Sequence, residues 1–543
     1  MSTPLDTLQR YWGYGQFRSP QSQIINAILA GRDVLAVLPT GSGKSVCFQV
    51  PALMMGGTTV VISPLIALMQ DQVDQLRERG ISATFINSSL RPAACSHRLK
   101  LLAQGKYRLV YAAPEALANL RFKAALKLLA IPLVAVDEAH CISEWGHDFR
   151  PSYRLIDNFV EWLGRRPVVA AFTATATLRT RLDIVDSLRL KNHRMATVPG
   201  GRTNLHLNVW DCPDDHWQVL SLVRLLQRHG HQPGIVYTTT RAAAEWLHAL
   251  LAQWRFALPA GITWDVYHGG LGPVERRRVQ RAFLEGELKL MVATNAFGMG
   301  VDKPDIRWII HYQLPLNLEG YYQEAGRAGR DGRQSWCYLL FNPADIQVCR
   351  YLALGGGNSQ QLVHQRQLSG RRQLASQGQL ADRGQLVDRR QSERSLRMRL
   401  AVKEAQLQAM VRYTTTKNCR HRFLGKYFGH QSDEAKPGHQ HTQYTGRDHC
   451  SQCGCCRPLN LPHRQWRYRL DRLLNWRTVN AARLSVAPDS LATDRVLAAA
   501  AILRPTSRDE WLKVPGIGTG WALRNWAKRG QVHRNQVHRS KAR

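Results

Sequence analysis

Short runs of aliphatic and β-branched residues alternate with amphipathic stretches along most of the chain. Val34 to Leu38, Thr59 to Ser63, Leu133 to Val136 and Val168 to Phe172 are almost continuously apolar, without the alternation of a strand that keeps one face wet. Separated by helical patterns, such strands predict a parallel sheet covered on both faces. The rhythm pauses near Gly200 to Asp215, then restarts with Gly234 to Tyr237, Leu290 to Ala293, Trp308 to His311 and Cys337 to Phe341. This α/β pattern predicts two tandem parallel-sheet lobes, residues 1–205 and 206–350. Several of the runs end in a polar cluster, as expected where chemistry sits at the carboxyl ends of parallel strands.

Beyond Arg350 the texture changes. The phrase Gln-Leu recurs at six-residue spacing from Gln361 to Arg390, inside a Gln/Arg/Leu-rich segment spanning 351–393. A helix turns about 100° per residue, so this period scatters the leucines around it, and the segment reads as a polar, basic, flexible insertion with local helix at most. A helical pattern resumes near Arg394 and enters a cysteine-rich region, 394–460. Residues 461–530 read as a small all-α domain, and 531–543 as a basic tail.

Composition narrows the class. At 543 residues the chain needs several cores, and its 44% hydrophobic content is ordinary for a globular protein. Its apolar runs are of strand length, and Met1 to Gln16 lacks the apolar centre of a signal peptide. A cytoplasmic protein without a membrane role is expected, nucleoid-associated if the source is bacterial. The net charge of +34 points to a polyanionic partner, with nucleic acid as the default. Of eleven cysteines, Cys419, Cys450, Cys453, Cys455 and Cys456 gather in one region, a usage that fits a metal site rather than a disulfide framework.

Leu35 to Ser45 reads LAVLPTGSGKS, an apolar strand running into a Gly-rich turn and a Lys-Ser helix start. Leu38 stands where the strict phosphate-loop pattern has its first glycine. Even so, Gly41 and Gly43, with Thr40 and Ser42 beside them, let backbone N–H groups curl around a β-phosphate. Lys44 reaches the β/γ oxygens and Ser45 can hold Mg²⁺. Asp137-Glu138-Ala139-His140 directly follows the run LVAV. There Asp137 suits Mg²⁺ and Glu138 can polarise an attacking water. Further motifs follow in one order: Ser63-Pro64-Leu65, Pro114-Glu115, Thr173 to Ala176, Ala293-Thr294 through Asp302, and Gln323 to Gly332. The last holds Arg327 and Arg330, read as one helical turn apart and aimed at a γ-phosphate on the opposite lobe.

The ordered set resembles the superfamily 2 helicases of the RecQ family. Tyr11 to Gln21 is similar to that family's adenine-recognition motif. The resemblance implies that Tyr14 and Arg18 sandwich the base while Gln21 bonds its edge, although Ser19-Pro20 replaces the usual Pro-Gly. Cys141 to Pro151 resembles the aromatic-rich loop, which implies stacking of unpaired bases on Trp145 and Phe149 and polar contacts from His147 and Arg150. Cys419, Cys450, Cys453 and Cys456 match the zinc-binding subdomain as four Zn²⁺ ligands. Cys455 and His449 adjoin them, so one ligand could be exchanged. Residues 461–530 resemble the helicase-and-RNase-D C-terminal domain. Its turn Leu512 to Gly518 is read either as a phosphate contact or as packing alone.

The resemblance implies ATP, Mg²⁺ and Zn²⁺ as cofactors and two RecA-like lobes. It also implies 3′ to 5′ translocation with duplex unwinding, in recombination and repair. Lys44, Asp137, Glu138, Gln323, Arg327 and Arg330 carry the chemistry, and Asp302 joins the nucleotide contacts. Expected partners are single-stranded and forked DNA, with single-strand-binding and recombination proteins beside them. Too few residues separate Cys456 from the last helical segment for the winged-helix domain of longer family members. A DNA-stimulated translocase or annealing factor with weak unwinding therefore stands as the alternative.

Overall fold

A computed structural model describes residues 3–146, 148–198, 202–298, 303–353, 383–429, 450, 452–456, 463–514 and 517. The first lobe holds β1 (Val34–Val37), β2 (Thr59–Ile62), β3 (Ala83–Ile86), β4 (Leu109–Ala112), β5 (Leu133–Val136), β6 (Val168–Thr173) and β7 (Arg194–Thr197). They form one sheet in the order β3-β4-β2-β5-β6-β1-β7, parallel throughout. All but β7 are buried along their whole length, which explains why their sequences show no alternation. The second lobe holds β8 (Leu205–Asp211), β9 (Gly234–Tyr237), β10 (Trp264–Tyr267), β11 (Leu290–Ala293), β12 (Trp308–His311) and β13 (Ser335–Phe341). Its sheet runs β10-β11-β9-β12-β13-β8, again parallel.

Two sequence expectations need correcting here. The pause near Gly200 to Asp215 contains β8, whose sequence LHLNVWD mixes polar and apolar positions because it lies at the sheet edge. The second sheet therefore begins with β8 at Leu205. That edge is covered by the cysteine-rich segment: Leu207 N–H donates to Gln452 O (3.1 Å) and Gly454 N–H donates to Leu207 O (2.9 Å). Covering removes an exposed template for strand addition.

The helix Arg383–Thr415 begins before Arg394 and carries the last repeat copy, Gln385 to Arg390. The residues there are mostly good helix formers, so intrinsic propensity extends the helix where periodicity gives no signal. Residues 361–382 lie outside the described residues, as does the tail, 531–543.

The C-terminal helices His463–Leu484, Pro488–Leu491, Asp494–Leu503 and Arg508–Leu512 do not stand apart from the motor. Every residue from Val496 to Leu503 is buried. A helix apolar on all sides needs neighbours on all sides. One neighbour is His463–Leu484; the other is Asp215–His229 of the second lobe. Leu497, Ile502, Trp511 and Val514 share a core with Leu222, Leu226, Trp254 and Leu258. An Arg495–Asp214 ion pair and a Gln227 Nε2 to Ile502 O hydrogen bond (3.2 Å) border it.

Candidate functional site

The phosphate loop connects β1 to the helix Val46–Met54. Gly41 and Gly43 have φ of 80° and 78°, the left-handed region that lets the chain curl with its N–H groups inward. The N-terminal motif lies against this loop. Arg18 Nη1 donates to Gly41 O (3.3 Å), and Gln21 Nε2 donates to Ser42 O (2.8 Å). Tyr14 is 56% exposed, with its ring open to a stacking partner. Ser42 Oγ is buried without a hydrogen-bond partner, and Ser45 makes no capping bond, so both hydroxyls are available to a ligand.

Lys44 Nζ crosses to Glu138 Oε1 at 3.4 Å. Glu138 adopts a left-handed φ of 46°, a strained conformation for a non-glycine residue and one that recurs at functional sites. Asp137 directly follows β5 and is pushed up to about 6, first by burial and then by the neighbouring Glu138, with Lys44 opposing. Two adjoining carboxylates, Glu138 buried and Asp137 half-buried, make a site that favours a cation. His140 Nδ1 lies 2.9 Å from Thr173 Oγ1 and 3.3 Å from Glu138 Oε2. Burial opposes its protonation, but Cys141 and Glu138 outweigh burial and raise it to about 10. Thr173 Oγ1 in turn donates to Thr175 O (3.0 Å), joining the acidic motif to the Thr173–Ala176 motif.

The second lobe supplies the facing wall. Gln323 is buried on the helix Leu318–Ala325. Arg327 and Arg330 do not sit one helical turn apart: the helix ends at Ala325, and Gly326 and Gly329 (φ 56°) turn the chain into a loop. Arg330 lies along the phosphate loop, where a Cβ added to Gly41 would meet its Cγ at 3.0 Å. Arg327 donates to Gly298 O within the second lobe. Asp302 lies outside the described residues.

In the aromatic loop the Arg179 guanidinium lies 3.0 Å from the centre of the Trp145 ring. The helix Arg383–Thr415 reaches this loop through Gln406 Nε2, which donates to Trp145 O (3.1 Å). Arg154 lies 5.3 Å from the Phe149 ring centre. Arg150 is occupied internally: it pairs with Asp148 (3.0 Å) and donates to Pro64 O (3.0 Å), so in this state it braces the loop. His147 lies outside the described residues.

The sulfurs of Cys419, Cys450, Cys453 and Cys456 all lie within 4.8 Å of one another. Four thiolates around tetrahedral Zn²⁺ at about 2.3 Å stand about 3.8 Å apart, so the cluster needs little contraction to hold the ion. The thiols hydrogen-bond one another, which lowers Cys453 at the expense of Cys450, and Cys456 is raised by burial first, so the cluster shares its protons until a metal displaces them. Cys455 turns elsewhere and donates to Thr416 O (3.4 Å). His449 lies outside the described residues. With four protein ligands no position is left open, which marks a structural site.

Several residues here escaped sequence reading. Arg202 donates to carbonyls on both lobes. Arg181 is buried, and donates to Ala176 O (3.1 Å) and to Phe428 O beside the zinc centre. Glu319 is buried and accepts from Tyr427 Oη (2.8 Å). Single arginines among 74 basic residues carry no motif, and main-chain acceptors leave no trace in a sequence.

Comparisons with known proteins fit this geometry. Residues 18–184 match the DEAD/DEAH box helicase family and 217–332 the helicase conserved C-terminal domain. Residues 378–457 match the RecQ zinc-binding family and 467–527 the HRDC domain. The ATP-dependent DNA helicase RecQ of Bacillus subtilis (strain 168) is 40% identical over 457 residues, 84% of this chain and 67% of that protein. The protein of the same name from Synechocystis sp. is 43% identical over 343 residues, 62% of this chain and 70% of that protein. Among solved structures, the DUF1998 helicase MrfA bound to DNA has a TM-score of 0.54 at 20% identity. It covers 65% of this chain and 50% of that one, a likeness of fold.

Proposed function

Because the chain belongs to the RecQ family of ATP-dependent DNA helicases, we propose that it hydrolyses ATP between its two lobes to move 3′ to 5′ along single-stranded DNA and open duplexes. The observation that carries this is Arg330 of the second lobe lying on Gly41 of the first-lobe phosphate loop. Lobe closure brings the two halves of one phosphate site together.

In this reading Tyr14, Arg18 and Gln21 select the base, and Thr40 to Ser45 hold the phosphates. Ser45 and Asp137 would hold Mg²⁺, which when bound would neutralise phosphate charge. Glu138 leaves its resting contact with Lys44 to orient the water that attacks the γ-phosphorus, and Lys44 turns to the phosphate oxygens. Arg330 and Arg327 stabilise the charge that develops, with Gln323 and Asp302 completing the wall. Trp145 and Phe149 stack on unpaired bases, and His147 adds a polar contact. The four-cysteine site, with zinc bound, would fix helix Arg420–Tyr427 on the second lobe, where His421 and Tyr427 bond Leu205 and Glu319. It would also set Phe428, just past that helix, to accept from Arg181 of the first lobe. Forked and single-stranded DNA are the substrates, with single-strand-binding and recombination proteins as partners in a cytoplasmic, DNA-associated setting. Among the described residues no helix is long and apolar enough to cross a membrane.

A second reading has its own support. The zinc and HRDC matches are separated only by residues 458–466, too few for a strand-splitting domain. A translocase that hydrolyses ATP but unwinds weakly follows from that. Forked-duplex unwinding measured beside DNA-stimulated hydrolysis separates the two: turnover with unwinding supports the helicase, and turnover without it the translocase.

A further inference from the structure

Arg202 lies in the link between β7 and β8, where the chain passes from one lobe to the other, and every nitrogen of its guanidinium is hydrogen-bonded. Its Nη1 donates to Thr40 O of the phosphate loop (3.3 Å) and to Gly326 O (2.9 Å). Its Nη2 donates to Ala328 O (2.8 Å) and to Gly329 O. Its Nε donates to Asn204 Oδ1 (3.2 Å), and Asn204 Nδ2 donates to Gly329 O (2.8 Å) and Arg333 O (2.9 Å). Among the described residues no carboxylate lies within ion-pair distance of Arg202, so main-chain oxygens receive the charge.

Those oxygens have a specific place. Gly326, Ala328 and Gly329 follow the C-terminus of the helix Leu318–Ala325, where orphan carbonyls gather and the helix dipole is negative. The same loop carries Arg327 and Arg330. A hydroxyl from the other lobe joins the network, since Thr40 Oγ1 also donates to Gly326 O (2.8 Å). That approach leaves no space for a side chain at 326: an added Cβ would stand 2.5 Å from Thr40 Oγ1. Arg202 thus shapes the arginine loop through both Nη1 and Nη2 and reaches the phosphate loop through Nη1.

We propose that Arg202 is a positioning residue for ATP hydrolysis, latching the arginine loop to Thr40 so that Arg330 faces the γ-phosphate only when the lobes are closed. The inference rests on the nucleotide reading given above. Arg202 touches no reacting atom, and its effect falls on turnover rather than on nucleotide capture. A lysine keeps the charge but cannot span four carbonyls, so it should not substitute.

The test uses the full-length, zinc-loaded protein and its Arg202→Ala and Arg202→Lys variants. ATP hydrolysis at saturating single-stranded DNA is measured beside affinity for a fluorescent ADP analogue and for single-stranded DNA without nucleotide. Both variants are expected to lose at least tenfold in kcat, with KM for ATP and both affinities within about threefold of wild type. Added methylguanidinium should restore part of the Arg202→Ala loss. If Arg202→Ala does not fold, Arg202→Lys decides by the same criterion. Variant turnover within threefold of wild type overturns the inference. So does a kcat loss matched by lost ADP and DNA affinity, which marks a merely structural role. Wild-type protein without ATP turnover would refute the parent reading and this inference with it, whereas wild-type turnover with unaffected variants refutes this inference alone.

Discussion

Two substitutions that should both silence the ATPase are expected to move stability differently, because they remove opposite charges from one cluster. Lys44 and Glu138 are 15% and 10% exposed and lie 3.4 Å apart. At an effective dielectric of about 20 a pair at that separation attracts by about 5 kcal/mol before desolvation is counted. Lys44→Ala removes the cation and leaves Glu138 beside Asp137, which burial and Glu138 already push up to about 6. Breaking a buried pair costs roughly 3–5 kcal/mol; with His140 Nδ1 still 3.3 Å from Glu138, the lower end applies. At roughly 2–4 °C per kcal/mol for a lobe of this size, Lys44→Ala should melt roughly 6–12 °C below wild type. Glu138→Gln instead removes one of two adjoining carboxylates and leaves Lys44 able to reach water and Asp137. Its melting point should stay within about 3 °C of wild type. Differential scanning fluorimetry in nucleotide-free, magnesium-free buffer reads both. A Lys44→Ala protein as stable as wild type, or a Glu138→Gln protein that falls equally far, would refute the electrostatic reasoning.

Other consequences follow from the same structure. Cys453→Ser should release zinc and lower stability while Cys455→Ser keeps a full equivalent, which metal analysis of the purified proteins checks. Trp145→Ala should raise the single-stranded DNA concentration for half-maximal ATPase stimulation roughly tenfold, the worth of one stacked base. His229 is lowered to about 4 by burial first, and then by Arg228. Below the unfolded value near 6.5 the unfolded chain therefore binds a proton that the fold refuses. The His229 contribution to stability should fall by about 1.4 kcal/mol per pH unit as pH drops from 6.5 toward 4. Asp137 and Asp345, both pushed up to about 6, drift the opposite way, so the difference between wild type and His229→Gln in denaturant titrations isolates it.

Much of the motor was legible because its signals are local. A strand, a Gly-rich turn and Lys-Ser occupy consecutive residues, as do LVAV and Asp-Glu-Ala-His, so order and spacing suffice. The four zinc cysteines were legible from spacing together with family resemblance, and the structure adds that Cys455 points elsewhere. Three kinds of information were missed. β8 escaped because it is not a continuous apolar run like the other strands: Leu205, Leu207 and Val209 alternate with His206, Asn208 and Trp210, the period of a half-covered edge strand. The loop geometry of Arg327 and Arg330 was misread because the helix ends at Ala325 and Gly329 turns the chain between the two arginines, a tertiary choice that an i, i+3 spacing does not reveal. Arg202 and Arg181 were invisible because their partners are main-chain oxygens far away in sequence. One signal was available and unused: the run VLAAAAIL, apolar on all sides, already required a second packing surface, which the helix Asp215–His229 provides.

The most direct test of the account is ATP hydrolysis with and without single-stranded DNA, on wild type and Lys44→Ala, run beside unwinding of a forked duplex. The account predicts DNA-stimulated hydrolysis and strand separation by wild type, and neither by Lys44→Ala. Absence of DNA-stimulated hydrolysis in folded, zinc-loaded wild-type protein would contradict it.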